Sequence, residues 1–313
     1  MKVNNLDIQR GIISLLKKQY GIKAEKVSFI PVGEESFAYK AVANNGRVYF
    51  IKYCERREVI ESLKTVNELL LQIQDLDFVI PPIVAHNRTS FELGKGWVYV
   101  FPFIEGGITE RGNDTFEKDL VAKLTKMMVQ IHKLKNRVKI ALPVENFRNK
   151  FFADFEKLLS LESAKKYETD NEARLLLNSN ENLIRQLISD HTKLGEYYKN
   201  NLPQMVLTHG DITGKNIILS KDGLKLVDWD GVMIAPFERD LNFLLDNPNF
   251  SVNEYLGKMK KDSYDPKLRE YYGRQWALGS ILGNLENLLT MGLTPEDRIE
   301  YIDEAKEYLR YYQ

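Results

Sequence analysis

The residues best suited to chemistry lie in one stretch, residues 205–240, MVLTHGDITGKNIILSKDGLKLVDWDGVMIAPFERD. Asp211 follows His209 and Gly210, Asn216 stands five residues on, and Asp228 opens the triplet Asp228-Trp229-Asp230. Phosphoryl transfer needs a carboxylate to orient an attacking hydroxyl and accept its proton. It also needs hard oxygen ligands for the Mg²⁺ that bridges nucleotide phosphates. Asp211 is the candidate for the first task, Asn216 and Asp228 for the second. An Asp and an Asn in a loop are commonly plain turn formers, so the reading rests on the combination and its spacing.

The elements that must position them can be read from the same stretch. An apolar run at 205–207 predicts a strand ending in the loop of His209 to Asn216. A second run at 217–219 and a third at 224–227 flank Asp222-Gly223, a hairpin-turn signal because glycine takes positive φ without steric cost. The hairpin would carry Asn216 on the loop before it and Asp228 on the loop after it. The spacing of Asp211 to Asn216 is that of a protein-kinase catalytic loop, and Asp228 stands where the aspartate of that fold's D-F-G triplet would.

Upstream, Asn5 or Asp7 can cap a helix whose face is Ile8, Ile12, Leu15, Leu16 and Tyr20, with Gly21 placed to end it. Strands are predicted at 27–32, 37–43 and 48–53, the last two joined by Asn45-Gly46, and the first hairpin has only Gly33 with Glu34 and Glu35 at its tip. Lys52 lies near the end of the third strand. A helix over 57–74 offers Glu58, Glu61 and Glu68. After the turn Gly94-Lys95-Gly96, a strand at 97–101 is broken by Pro102 and followed by Gly106-Gly107. A helix at 116–135 buries Leu120, Leu124, Met127, Met128 and Ile131, with His132 near its end as a packing or capping residue. Residues 146–199 read as a charged helical insert and 265–313 as an aromatic-rich helical region. Asp240 is read as the cap of an apolar helix start, although in kinase-like folds an acid here also braces the catalytic loop.

The bulk properties exclude several classes. With 44 Lys+Arg against 44 Asp+Glu the net charge is zero, so no basic bias argues for nucleic acid or a membrane surface. One cysteine, Cys54, allows no intrachain disulfide. No long apolar run could span a bilayer, and the first residues are not a signal-peptide core, so a cytoplasmic protein is expected.

The stretch resembles the aminoglycoside phosphotransferase and choline kinase-like family. D-W-D-x-x-M-x-A-P-x-E-R-D-L, read from Asp228 to Leu241, looks most like the spectinomycin phosphotransferases. The resemblance implies an α+β, two-lobed protein-kinase-like fold. A small antiparallel-sheet lobe at 1–103 would bind nucleotide, and a larger, mainly helical lobe at 104–313 would carry catalysis and the acceptor. It implies ATP, with GTP open, and Mg²⁺. Lys52 would hold the phosphates and pair with a glutamate of the following helix, Glu61 in the best-matching register. Ser36 would face phosphate, and Phe101 and Phe103 would supply backbone groups to the base. Asp211 would be the catalytic base, with Asn216 and Asp228 on the metal.

Only eleven residues separate Asp228 from Asp240, which leaves no room for a long activation segment, so the expected acceptor is a small molecule with a hydroxyl group. The first expectation is an antibiotic-resistance kinase of the aminocyclitol type. The alternatives are a kinase of choline, a sugar or a nucleoside, or a binding protein that kept the fold. Residues 273–280 carry no carboxylate, unlike the acidic acceptor pockets of antibiotic-phosphorylating relatives.

Overall fold

The structure, a computed structural model, describes residues 5–31, 36–108, 116–163, 171–291 and 293–313. The expected hairpin tip at Gly33-Glu34-Glu35, and Val32 at the end of the first expected strand, lie outside the described residues. The chain divides into two compact units, one of residues 2–144 and 206–262, the other of residues 145–205 and 263–313.

In the first unit, helix α1 (Leu6–Tyr20) starts where Asn5 Oδ1 accepts the N–H groups of Asp7 and Ile8, and ends at Gly21 with φ 67°. Such a cap is worth about 1 kcal/mol. Five strands follow: β1 (Ala24–Ile30), β2 (Phe37–Ala43), β3 (Val48–Cys54), β4 (Ser90–Leu93) and β5 (Gly96–Pro102). They form one antiparallel sheet in the order β1-β2-β3-β5-β4, with helix α2 (Arg57–Gln72) between β3 and β4 in the chain. Alternation of side chains gives the sheet two apolar faces. Tyr39, Ala41, Tyr49, Ile51, Tyr53 and Val100 pack with Ile12, Leu15 and Leu16 of α1. On the other face Cys54 and Tyr99 pack with Val59, Ile60 and Leu63 of α2. Lys52 has the parity of Cys54, so its side chain leaves on the α2 side.

The rest of this unit carries the expected hairpin. Strand β6 (Gly106–Ile108) pairs with β8 (Ile217–Ser220), which pairs with β9 (Gly223–Leu226). Gly223 has φ 101°, the positive angle that the turn demands. Strand β7 (Met205–Thr208) pairs with β10 (Met233–Pro236). Helices α3 (Lys118–His132), α7 (Glu238–Leu241) and α8 (Val252–Met259) complete it.

The second unit is helical: α4 (Phe151–Ser163), α5 (Asn171–Ser179), α6 (Glu181–Asn200), α9 (Pro266–Thr290) and α10 (Pro295–Tyr311). Thr294 caps α10 through Asp297 N–H with Pro295 in the first turn, as its sequence predicts. Its core is the leucine-rich face of α9 packed with Phe155, Leu177, Ile184 and Leu187. The aromatic residues Phe147, Tyr198, Tyr271 and Tyr272 form a second cluster. Among the described residues no helix is long and apolar enough to cross a membrane.

His191 of α6 is 1% exposed, stacked on Tyr271 at 4.3 Å, and neither ring nitrogen has a hydrogen-bond partner among the described residues. Burial, aided by the positive charge of Arg274, lowers its pKa to about 4. In the unfolded chain it titrates near 6.5. Between those values the unfolded state binds a proton that the folded state refuses, so stability falls as pH drops from about 6.5 towards 4. The whole shift corresponds to roughly 3 kcal/mol. Replacing His191 with Phe should flatten the pH dependence of the urea midpoint between pH 8 and pH 5. An equal slope in the variant and the parent would count against it.

Candidate active site

Each acid of the site is placed by a short local structure. Between β9 and β10 the chain turns through one 3₁₀ turn, Trp229–Gly231, entered from Asp228 in the left-handed conformation, φ 63° and ψ 58°. Aspartate is among the few non-glycine types that tolerate this region. Trp229 is 3% exposed; its indole N–H donates to Leu226 O at 3.1 Å and its ring meets His209 edge-on at 4.8 Å. With the indole anchored inward, its two neighbours turn to Lys52. Lys52 Nζ donates to Asp228 Oδ1 at 3.1 Å and to both oxygens of Asp230 at 3.1 and 3.3 Å. Burial alone would depress the Lys52 ammonium, but the charges of Asp230 and Asp228 outweigh it and hold its pKa above the ordinary value. Burial would raise Asp228, and the Lys52 charge and hydrogen bond reverse that, holding it below the ordinary carboxylate value.

The loop before β8 is tied from both ends. Asn216 Nδ2 donates to Asp211 Oδ2 at 2.7 Å and to Asp211 O at 3.0 Å. The other carboxylate oxygen of Asp211, Oδ1, is buried and has no hydrogen-bond partner among the described residues. Unpaired buried acceptors are uncommon and costly, and an incoming hydroxyl would satisfy this one. His209 is a strut: Nε2–H donates to Val227 O at 3.1 Å, and Nδ1 accepts the Asp211 N–H at 3.2 Å. That pair of roles requires the neutral ring, and burial lowers the pKa of His209 against the pull of Asp240 and Asp211. The strut ties the loop of Asp211 to the strand that delivers Asp228, and Val227 N–H donates to Asn216 O at 2.9 Å beside it.

Asp240 does not cap a helix. It is wholly buried within α7, and its carboxylate accepts the N–H of His209 at 2.9 Å, the N–H of Gly210 at 2.7 Å and His132 Nε2–H at 3.0 Å. His132 in turn meets Tyr255 OH at 2.6 Å through Nδ1. Gly210 has φ 92°, and a Cβ there would fall 2.2 Å from the Arg239 guanidinium, so the position needs glycine. Arg239 donates to Thr208 Oγ1 and Gly231 O, bracing the same loop from the other side.

Two sequence expectations are corrected by these contacts. Glu61 is not brought to Lys52: it is exposed and pairs with Lys64 at 3.0 Å. Glu58 and Glu68 are exposed too, because the inward stripe of α2 is Val59, Ile60, Leu63, Val66 and Leu70. Phe101 and Phe103 face the wrong way to serve a base with backbone groups. Phe103 N–H donates to Val48 O at 3.1 Å, and Phe101 is opposite Phe50 in the same ladder. Alternate residues of a strand turn their polar groups to opposite sides. Val100 O does so and accepts Ile83 N–H at 2.7 Å. The same parity turns Pro102 O and Ile104 N–H away from β3, and neither has a hydrogen-bond partner among the described residues. Ser36 is buried just ahead of β2. Asp230 and His209 are the residues whose roles the sequence did not disclose, and for Asp240 the bracing role displaces the cap that its neighbours favour.

The donor set suits a hard cation that keeps other ligands. With the Asn216 amide nitrogen given to Asp211, its oxygen carries no hydrogen bond among the described residues, and Asp228 has one carboxylate oxygen not engaged by Lys52. Among the described residues no group of three or more His, Cys, Asp and Glu could hold an ion unaided. Mg²⁺ is ordinarily bound through one or two protein oxygens together with phosphates and water, so two donors fit it.

An antiparallel five-stranded sheet with its lysine on the third strand, followed by a mostly helical remainder with acids on hairpin loops, defines a protein-kinase-like phosphotransferase fold. The chain belongs to the APH phosphotransferase enzyme family, whose model matches residues 26–283. It is 25% identical over 297 residues to protein StrN of Streptomyces griseus, covering 89% of this chain and 86% of that protein. In fold it is similar to spectinomycin phosphotransferase APH(9)-Ia crystallised with ADP and spectinomycin, with a TM-score of 0.75, 23% identity, and 95% and 93% of the two chains covered. Choline kinase LicA of Streptococcus pneumoniae is also similar, with a TM-score of 0.61, 17% identity, and 97% and 99% covered.

Proposed function

We propose that this phosphotransferase is an ATP-dependent kinase that moves the γ-phosphate to a hydroxyl of a small aminocyclitol or aminoglycoside, spectinomycin-like in character. The carrying observation is the convergence in one unit of Lys52, Asp228 and Asp230 with Asp211 and Asn216, tied through His209. Lys52, kept fully cationic, neutralises phosphate charge. Asp211 orients the acceptor hydroxyl and takes its proton at Oδ1. Asn216 and Asp228 would hold Mg²⁺, which supplies charge neutralisation between the phosphates. Because the acids and the lysine are fixed before any substrate binds, electrostatic preorganisation supplies most of the acceleration. Pro102 O and Ile104 N–H present an acceptor and a donor two residues apart, which matches the N6–H and N1 of adenine. On this reading residues 1–103 serve the nucleotide, and residues 104–313 serve catalysis and the acceptor.

The aminocyclitol class is supported by the Asp228-to-Leu241 pattern and by the likeness to APH(9)-Ia. The likeness to LicA favours a second reading, a kinase of choline or another metabolite.

A panel of spectinomycin, kanamycin, choline, sugars and nucleosides, scored by ADP release with Mg²⁺, separates the two. Turnover of spectinomycin at least tenfold above choline, with resistance in an expressing strain, is expected. Turnover confined to choline, a sugar or a nucleoside would replace the first reading with the second.

A further inference from the structure

We propose that Asp230 is the positioning residue for Lys52, in the place expected for a glutamate of α2. The proposal rests on the kinase reading above and deepens it. The inner face of α2 offers no carboxylate. Its one buried polar residue is Asn67, and its three candidate glutamates are exposed. The acid comes instead from the 3₁₀ turn against which α2 packs. Asp230 grips the ammonium with both oxygens, at 3.1 and 3.3 Å, whereas Asp228 reaches it with one. Their side-chain exposures differ in the same sense, 28% for Asp230 and 51% for Asp228.

This division assigns different tasks to the two acids flanking Trp229. Asp228, more exposed and held by one oxygen, is the one available to a cation. Asp230 keeps Lys52 at the edge of the site whichever way Asp228 turns. A long lysine chain without that anchor would sample many rotamers, and ordering it on each binding event would cost affinity. The arrangement also frees Lys52 from α2. In folds where the lysine pairs with a helix glutamate, displacement of the helix breaks the site. Here the anchor and the metal-side acid lie on one turn, so the lysine and the acid of the cation site are set by the same three residues.

The sign of the effect separates positioning from mere presence. A bystander carboxylate near a triphosphate repels it, so neutralising such a group tightens binding. An anchor does the opposite. The test uses Asp230→Asn, Asp230→Glu and Glu61→Gln, with binding of a fluorescent ATP analogue measured in EDTA and steady-state kinetics measured with Mg²⁺. Asp230→Asn should weaken analogue binding about tenfold and raise the KM for ATP by a similar factor, with a smaller change in kcat. Asp230→Glu, which keeps the charge, should recover most of the binding even if Asp230→Asn folds poorly. Glu61→Gln should leave every value within twofold.

Unchanged or tighter binding by Asp230→Asn overturns the proposal, as does a loss in Glu61→Gln equal to that in Asp230→Asn. Failure of the kinase reading would show elsewhere, as no ADP release above background with any acceptor of the panel, while the binding measurement in EDTA reports on Asp230 independently.

Discussion

Replacing Asp211 with Asn is expected to lower kcat by about 10²–10⁴-fold, the range for loss of a general base, and to leave nucleotide affinity within twofold. The reason lies in the two carboxylate oxygens. Oδ2 is occupied by the Asn216 amide at 2.7 Å, a bond that an asparagine oxygen at 211 still accepts, so the loop keeps its shape. Oδ1 is buried with no partner among the described residues. In the variant that position becomes an NH₂ group, which donates rather than accepts and cannot take a proton from an attacking hydroxyl. The groups proposed to face the nucleotide, Lys52 and the Pro102–Ile104 backbone, are untouched. Steady-state kinetics and titration with a fluorescent nucleotide check both halves. A kcat within tenfold of the parent would remove Asp211 from the role of base, and a large loss of nucleotide affinity would show that the variant changed the loop instead.

What could be read from the sequence is what is decided locally. Asp222-Gly223 turns the chain because of its own φ preference, so the hairpin and the loops at its two ends follow from a dozen residues. Asn5 and Gly21 bound α1 for the same reason. The errors are all in pairings across the chain. Phe101 and Phe103 sit on the right stretch, but which residues of that stretch turn their polar groups outward is set by register against β3. One residue of shift exchanges the two sides. Asp240 looks like a cap from its neighbours alone, and its partners His209 and Gly210 lie 31 and 30 residues earlier. The Glu61 error was avoidable. The apolar positions 59, 60, 63, 66 and 70 mark the inner stripe of α2 and leave 58, 61 and 68 outside it. Asp230 was in view within the triplet, but its grip on Lys52 depends on a left-handed Asp228 that no local preference announces.

Asp240 is expected to be the largest single contributor to the stability of the loop that carries Asp211, and Asp240→Ala should cost about 3 kcal/mol or more, because it leaves three buried donors unsatisfied at about 1–3 kcal/mol each. Its side chain and that of His132 are both fully buried. Burial would raise the pKa of Asp240, but the hydrogen bond and charge of His132, with Arg239 nearby, hold it below the ordinary carboxylate value. One carboxylate therefore satisfies two backbone N–H groups and a ring N–H at once. Alanine strands all three away from water. Asparagine keeps one acceptor and adds a donor where donors already point, so Asp240→Asn should lie between alanine and the parent. A whole domain is stable by only about 5–15 kcal/mol, so the alanine variant should show a sharply lowered urea midpoint. The asparagine variant, which stays folded, carries the functional consequence. With His209 and Gly210 no longer clamped, Asp211 loses its fixed position, and kcat should fall while the KM for ATP changes little. A midpoint for Asp240→Ala equivalent to less than about 1 kcal/mol of loss, the scale of a single exposed hydrogen bond, would mean that the loop is held by Arg239 and the His209 strut instead.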